Sequence, residues 1–270
     1  MTAASIETVS PADIARTFVQ ARLSHTATPD YPGEIPLTMD AAYAVQDLAI
    51  GLYPDTIIGW KVGGVPPAQQ PTLGIHRLAG PIFAGARQDD NGAVNRLPAI
   101  EGGFAAVEAE FVARIGPDVD PSKTDWTVEE ASEAIDAVFL GIELAGSSLS
   151  AINDLGSAVV ASDFGNNAGL LVGMELTDWR DRMDAIEVET FIDGVSVGTG
   201  GAPSLAGGAL ESVRFLLEHC ARRGRPLTAG ALVSTGAVTG VHRIYSGSAF
   251  ICDFKGVGAI RGVIVTAGSD

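Results

Sequence analysis

The chain opens on alternating helical and loop patterns and then turns strand-rich. Ser10-Pro11-Ala12-Asp13 reads as an N-cap with proline at the first helical position, and predicts a helix to about Leu23. Thr26 to Pro36 is rich in Pro, Thr and Gly and reads as a loop. Thr38 starts a second helix, with Ala42, Val45, Leu48 and Ala49 roughly on one face. Ile57 to Val62 is a short strand that runs into Gly63-Gly64, and Val65 to Gln70 is a Pro-rich loop. Thr127-Val128-Glu129-Glu130 is a capping-box pattern, predicting a helix to about Val138. Ile186 to Ile192 alternates with period two, meets Asp193-Gly194, a strong hairpin turn, and returns through Val195-Ser196-Val197. Gly208 to Arg223 reads as a helix with basic residues in its last turn and Gly224 after it. Leu232 to Gly236, Ser248 to Phe254 and Ala259 to Val265 are strand candidates.

Composition narrows the architecture. Of 270 residues, 46% are hydrophobic, enough for a sizeable core, and 33 Gly with 14 Pro imply many turns. Both favour a sheet-rich fold over a helix bundle. The pattern divides the chain into a mainly helical segment over residues 1–56 and a β-rich core over 57–270. The net charge of −16 argues against nucleic acid or an anionic membrane as partner. An anionic substrate then needs a locally positive site, which a metal ion would provide. Cys220 and Cys252 make no disulfide framework and read as packing residues. Met1 to Ser10 has no basic region followed by an apolar one, so no secretory signal is expected, and no run is long enough to span a membrane. The expectation is a cytoplasmic protein.

Candidate chemistry centres on acids in apolar surroundings. Glu108 and Glu110 alternate with Val107, Ala109 and Phe111, and Glu143 lies between Ile142 and Leu144. On a strand, residues two apart share a face, so Glu108 and Glu110 would point the same way; on a helix they would diverge by about 200°. Buried carboxylates need compensating charge, and a hard divalent cation such as Mg²⁺ or Mn²⁺ takes oxygen ligands while keeping sites for water or substrate. An amphipathic strand with a solvated acidic face accounts for the same spacing. Lys61, at a strand end before Gly63-Gly64, could hold a substrate carboxylate or move a proton, or simply lie exposed.

The segments Trp60-Lys61-Val62-Gly63, Val107 to Glu110, Ile142-Glu143 before Ala145-Gly146-Ser147, Asp163 with Asn167-Ala168-Gly169, Ser234-Thr235-Gly236 and Asp253-Phe254 follow one order. This order resembles the 2-keto-4-pentenoate hydratase and 4-oxalocrotonate decarboxylase family, within the fumarylacetoacetate hydrolase superfamily, from about Thr38 to the C-terminus. The resemblance implies an α+β fold: a mixed, twisted β-roll or distorted barrel with flanking helices, like the fumarylacetoacetate hydrolase C-terminal domain, assembled as a homo-oligomer. It implies Glu108, Glu110 and Glu143 as ligands of Mg²⁺ or Mn²⁺ and Lys61 as the active-site lysine. Asp163 would support the site or act as a base. The substrate would be a small 2-oxo acid, a 2-hydroxydienoate or its 2-oxo tautomer from aromatic catabolism.

Two segments depart from the family pattern. Family hydratases often carry an acidic segment with a Pro-Asp pair where this chain reads Leu73-Gly74-Ile75-His76-Arg77-Leu78-Ala79-Gly80-Pro81-Ile82-Phe83. His76 and Arg77 could there bind a second substrate carboxylate, or form a surface pair. The polar residue expected after Asp163 is Asn166, and Thr235 is a candidate hydroxyl donor. His242-Arg243 follows a glycine turn, beside the site or in a solvated loop, while His25 and His219 read as structural. The leading expectation is a metal-dependent hydratase. Oxalocrotonate-type decarboxylation, acylpyruvate hydrolysis and non-catalytic binding of a 2-oxo acid are the alternatives.

Overall fold

The structure, a computed structural model, describes residues 9–269. The expectation of no secretory signal rests mainly on residues 1–8, which lie outside the described residues. Two helices come first, α1 (Pro11–Leu23) and α2 (Met39–Leu52). Ser10 and Thr38 cap them, each side-chain oxygen accepting from the backbone N–H three residues on. The buried face of α2 is Met39, Ala42, Tyr43, Val45, Gln46 and Ala49. Leu48, expected on that face, is 43% exposed, because it falls outside the arc that meets the core.

The chain then runs through β1 (Ile57–Gly64), α3 (Gln70–Leu73), β2 (Arg77–Phe83), β3 (Arg87–Asp89), β4 (Asn95–Ala99) and β5 (Phe104–Ile115). After α4 (Val128–Glu133) come β6 (Ile135–Ser147), α5 (Ser157–Ser162), β7 (Asn167–Glu175) and α6 (Trp179–Arg182). The remainder is β8 (Val188–Ile192), β9 (Val195–Gly200), α7 (Gly208–Arg222), β10 (Leu232–Ser234), β11 (His242–Arg243), β12 (Ala249–Phe254) and β13 (Gly258–Thr266).

These strands form two mixed sheets. The larger has the order β2-β1-β10-β5-β6-β7-β3, with β11 paired to β5; the smaller runs β4-β13-β12-β8-β9. Parallel pairs, β1 with β10 and β3 with β7, sit among antiparallel ones. The centre is the long β5–β6 pair, where Phe104 meets Ser147 and Ile115 meets Ile135. Both strands are covered on both faces and buried along almost their whole length. That burial explains why their sequences read as near-continuous apolar runs.

The capping box at Thr127 and Glu130 forms as expected, but α4 stops at Glu133 instead of reaching Val138. Ile135 to Val138 joins β6 instead. Pairing these residues across to Ala113–Ile115 buries Ile135, Ala137 and Val138, which a helix continuing through solvent would not do. The Asp193-Gly194 hairpin turn also forms, with φ of 50° and 79° at its two residues.

Candidate active site

β5 presents Glu108 and Glu110 on one face, and the register sets Glu143 of β6 directly opposite Glu108. Like charges facing across a ladder destabilise a sheet unless something compensates them. None of the three is solvated: Glu108 is 5% exposed, and Glu110 and Glu143 are fully buried. One oxygen from each lies within 4.8 Å of the others. A solvated acidic strand face is thereby excluded.

Protein donors satisfy one side of the cluster. Ser234 Oγ donates to Glu110 Oε2 at 2.5 Å, and the Gly236 N–H donates to the same oxygen at 2.8 Å. Asn167 Nδ2 donates to Glu143 Oε1 at 3.0 Å, and Lys61 Nζ lies 3.3 Å from that atom. The other oxygens, Glu110 Oε1 and Glu143 Oε2, are buried with no hydrogen-bond partner. Leaving such atoms bare is costly, so they mark where a ligand belongs. An all-oxygen donor set with bare buried lone pairs fits a hard divalent cation.

The electrostatics point the same way. Burial, then the Glu143 charge, pushes Glu108 up to about 8. Burial and both neighbouring carboxylates raise Glu110 as well. Burial alone would lower Lys61, but Glu143, Glu108 and Glu110 more than offset it, so it stays an ammonium. One cation among three carboxylates leaves the cluster short of positive charge.

Glu108 and Lys61 form part of the wall of a cleft of about 690 Å³ that also reaches His76, Arg77, Asn166 and Thr235. Asn166, in the left-handed region at φ 55°, accepts from Lys61 Nζ at 3.3 Å and donates to Asn153 Oδ1 at 3.1 Å. Thr235 lines the cleft, but its hydroxyl already donates to the Phe111 carbonyl at 2.8 Å, so its proton is committed to the backbone. His76 Nδ1 sits 2.7 Å from Gln70 Oε1. Arg77 donates to the Ala206 carbonyl and lies 3.7 Å from Glu211.

Asp163 is placed differently. Its carboxylate is fully buried away from the cleft, accepting from Arg22 Nε at 2.8 Å and from Ser147 Oγ at 2.6 Å. The structure does not bring it to the cleft with Lys61, and both its oxygens are engaged. His242 and Arg243 pair with Val107 and Ala106 of β5; His242 Nε2 contacts the Thr239 carbonyl, and Arg243 lies over the Phe104 ring. The sequence reading missed Asn153 and Arg22, and it gave no role to Ser147, Asn167, Ser234 or Gly236. The last four were visible within the ordered segments, whereas nothing local marks Arg22 or Asn153.

No protein-family model matches the chain. The 2-keto-4-pentenoate hydratase of Paraburkholderia xenovorans is 27% identical over 233 residues, 83% of each chain. The 2-keto-4-pentenoate hydratase 1 of Dechloromonas aromatica is 28% identical over 265 residues, 93% of this chain and 98% of that one. Among solved structures, 4-oxalocrotonate decarboxylase from Pseudomonas putida, complexed with magnesium and adipate, superposes with a TM-score of 0.76 at 17% identity. The match covers 94% of this chain and 97% of that one. Fumarylpyruvate hydrolase from Pseudomonas aeruginosa, in complex with Mn²⁺ and pyruvate, gives 0.56 at 18% identity, over 77% and 88%.

The fold is thus the α+β fold of fumarylacetoacetate hydrolase superfamily enzymes, as the ordered segments implied. Within that class, the curated relatives carry the name 2-keto-4-pentenoate hydratase, which supports a hydro-lyase.

Proposed function

We propose that this protein is a divalent-metal-dependent hydro-lyase that adds water to a 2-hydroxydienoate or its 2-oxo tautomer in aromatic catabolism. The observation that carries the reading is the carboxylate cluster, which meets the cleft through Glu108, with bare buried oxygens on Glu110 and Glu143 and an ammonium beside them. Glu108, Glu110 and Glu143 would hold the ion, Mg²⁺ or Mn²⁺. When bound, it would supply Lewis acidity toward the adjacent oxygens of a 2-oxo acid.

The remaining work falls to the chain. Lys61, kept charged by its carboxylate neighbours, would hold the substrate C1 carboxylate or pass a proton. Asn166 fixes the Lys61 ammonium from the other side. Ser234, Gly236 and Asn167 orient the Glu110 and Glu143 carboxylates, leaving the opposite oxygens free. Asp163 would act through position: with Arg22 it anchors the turn that carries Asn166 and Asn167. In net terms one proton goes to C5 and one hydroxyl to C4 of the dienoate, with no atom lost.

The helical segment over 1–56 belongs to this proposal as a support for a catalytic core over 57–270, as do homo-oligomeric assembly and a cytoplasmic location. Among the described residues, no helix is long and apolar enough to cross a membrane. The test is incubation of purified protein and Mg²⁺ with 2-hydroxypenta-2,4-dienoate. Loss of the dienol with uptake of one water supports the reading. An unchanged dienol defeats it, and CO₂ release from an oxalocrotonate-type dicarboxylate would instead favour decarboxylation.

A further inference from the structure

Lys61 and Gly80 face each other across the β1–β2 ladder. Residues directly opposite in an antiparallel pair project to one face, so a side chain at 80 would stand beside the Lys61 stem. Position 80 has no side chain, and backbone fills the space. A Cβ built there would run into the Phe164 carbonyl oxygen and stand 2.7 Å from the Phe164 carbonyl carbon and 2.8 Å from Gly165 Cα. The contact is mutual: a Cβ on Gly165 would lie 2.8 Å from Gly80 Cα and 3.0 Å from its nitrogen. Two glycines thus let the turn that carries Asn166 lie directly on β2.

That turn is strained. Phe164, Gly165 and Asn166 are all left-handed, with φ of 54°, 63° and 55°. The two residues with side chains adopt such a conformation only where their surroundings impose it. The Phe164 ring packs edge-on against Tyr53 and Phe83, with centroids at 5.4 and 5.1 Å. Behind β2, the buried Gln46 carboxamide donates to the carbonyls of both Ala79 and Ala161, at 3.0 and 2.7 Å. It ties the strand to the helix that leads into the turn. Neither side can withdraw cheaply, because a side chain at 80 would meet backbone and not the end of a flexible side chain.

This seating serves the site. From consecutive positions, Asn166 reaches Lys61 Nζ at 3.3 Å and Asn167 reaches Glu143 Oε1 at 3.0 Å. We propose that Gly80 is a positioning residue for Lys61: the missing side chain lets the 164–166 turn close on β2, and that approach brings the Asn166 carboxamide to the ammonium. Gly80 itself touches no substrate and acts through Asn166. The role rests on the reading of Lys61 as the group that meets the substrate.

The experiment is a double-mutant cycle of Gly80→Ala and Asn166→Ala with Mg²⁺ present. It is read by turnover of 2-hydroxypenta-2,4-dienoate and by the ¹⁵N resonance of the Lys61 ammonium. The chain has three lysines, Lys61, Lys123 and Lys255, so Lys61→Met assigns that signal. Gly80→Ala should lower kcat by about tenfold or more and move the resonance. In the Asn166→Ala background it should lower kcat by less than about threefold, because the contact it disturbs is already gone. Equal losses in both backgrounds overturn the proposal, as does a folded Gly80→Ala protein with wild-type turnover and an unmoved resonance. Gly165→Ala presses on the same contact from the turn and should give the same pattern where Gly80→Ala does not fold; an additive loss there overturns the proposal equally. Asn166→Ala removes only a side chain at the cleft wall. Wild-type turnover and an unmoved resonance in that variant overturn the proposal whatever the glycine variants do. A wild-type protein that leaves the dienol unchanged defeats the hydro-lyase reading instead, and the resonance across the cycle still decides the role of Gly80.

Discussion

Arg22 Nε donates to Asp163 Oδ1 across 2.8 Å, joining two residues 141 positions apart in the chain. The same guanidinium donates to the carbonyls of Asn167 and Gly146 and lies over the Phe164 ring. A helix outside both sheets thereby clamps the turn that supplies Asn166 to Lys61 and Asn167 to Glu143. Removing Arg22 would leave the Asp163 carboxylate buried without its counter-charge.

Arg22→Ala should therefore lower stability by about 3–5 kcal/mol, the usual cost of breaking a buried pair. If the clamp also positions the site, metal affinity falls with it. Arg22→Lys should regain part of the stability but not the affinity, because one ammonium cannot reproduce the guanidinium's fan of donors. Thermal unfolding with and without Mg²⁺ separates the two effects. An Arg22→Lys protein with wild-type metal affinity would reduce Arg22 to a structural role.

Metal addition should stabilise the protein, and more so than ionic strength alone. At about a hundredfold excess over Kd the gain is about 2.7 kcal/mol. Glu110→Gln is close to isosteric, removes a charge and keeps an amide near Ser234, so the fold should survive while the Mg²⁺-dependent rise in Tm disappears. A rise that persists in the variant would place the ion elsewhere.

These two predictions draw on very different depths of the sequence. The shared face of Glu108 and Glu110 was legible because a strand's period of two is local, whereas their spacing left a buried and a solvated face equally open. Glu143 stood out as a lone acid between Ile142 and Leu144, but its convergence with Glu108 rested on the ordered segments, since that partner on β5 lies 35 positions away in the sequence. Arg22 and Asn153 left no trace: both meet the site through contacts that only the folded chain creates. The α4 boundary was missed for a related reason. Ala134 to Val138 has no local signal against helix, and the gain from pairing with β5 decides it. At Asp163 the recognised segment left support of the site and base chemistry open, and the engagement of both oxygens by Arg22 and Ser147 favours the supporting role.

Lys61 has a role that two substitutions can divide. Lys61→Met removes the ammonium while keeping much of the stem's packing. Turnover should fall by about 100-fold or more if the ammonium binds or protonates the substrate. Metal affinity should hold or rise, because a competing positive charge 3.3 Å from Glu143 is gone. Steady-state kinetics beside a Mg²⁺ titration checks both. A parallel loss of metal binding would make Lys61 a structural counter-ion, and Lys61→Arg, which keeps the charge with a different shape, should restore binding before turnover.

His219 sets an acid limit on the fold. Its ring packs between Tyr43 of α2, at 4.9 Å, and Phe215 of its own helix, at 5.0 Å, and its Nε2 is buried without a partner. Burial, with Arg223 and Arg222 close by, depresses its pKa to about 4 against the opposing pull of Asp47. The unfolded chain, with an ordinary value near 6.5, therefore binds more protons than the native one between those limits. The contribution of His219 is complete above pH 6.5 and is lost as pH falls through 4, up to about 3 kcal/mol. His219→Phe keeps the stacking and cannot ionise, so its Tm should fall less steeply than that of the wild type between pH 6.5 and 4. Taking the difference between the two curves cancels the titration of the carboxylates they share. Parallel curves would mean that His219 accepts its proton at no cost to the native state.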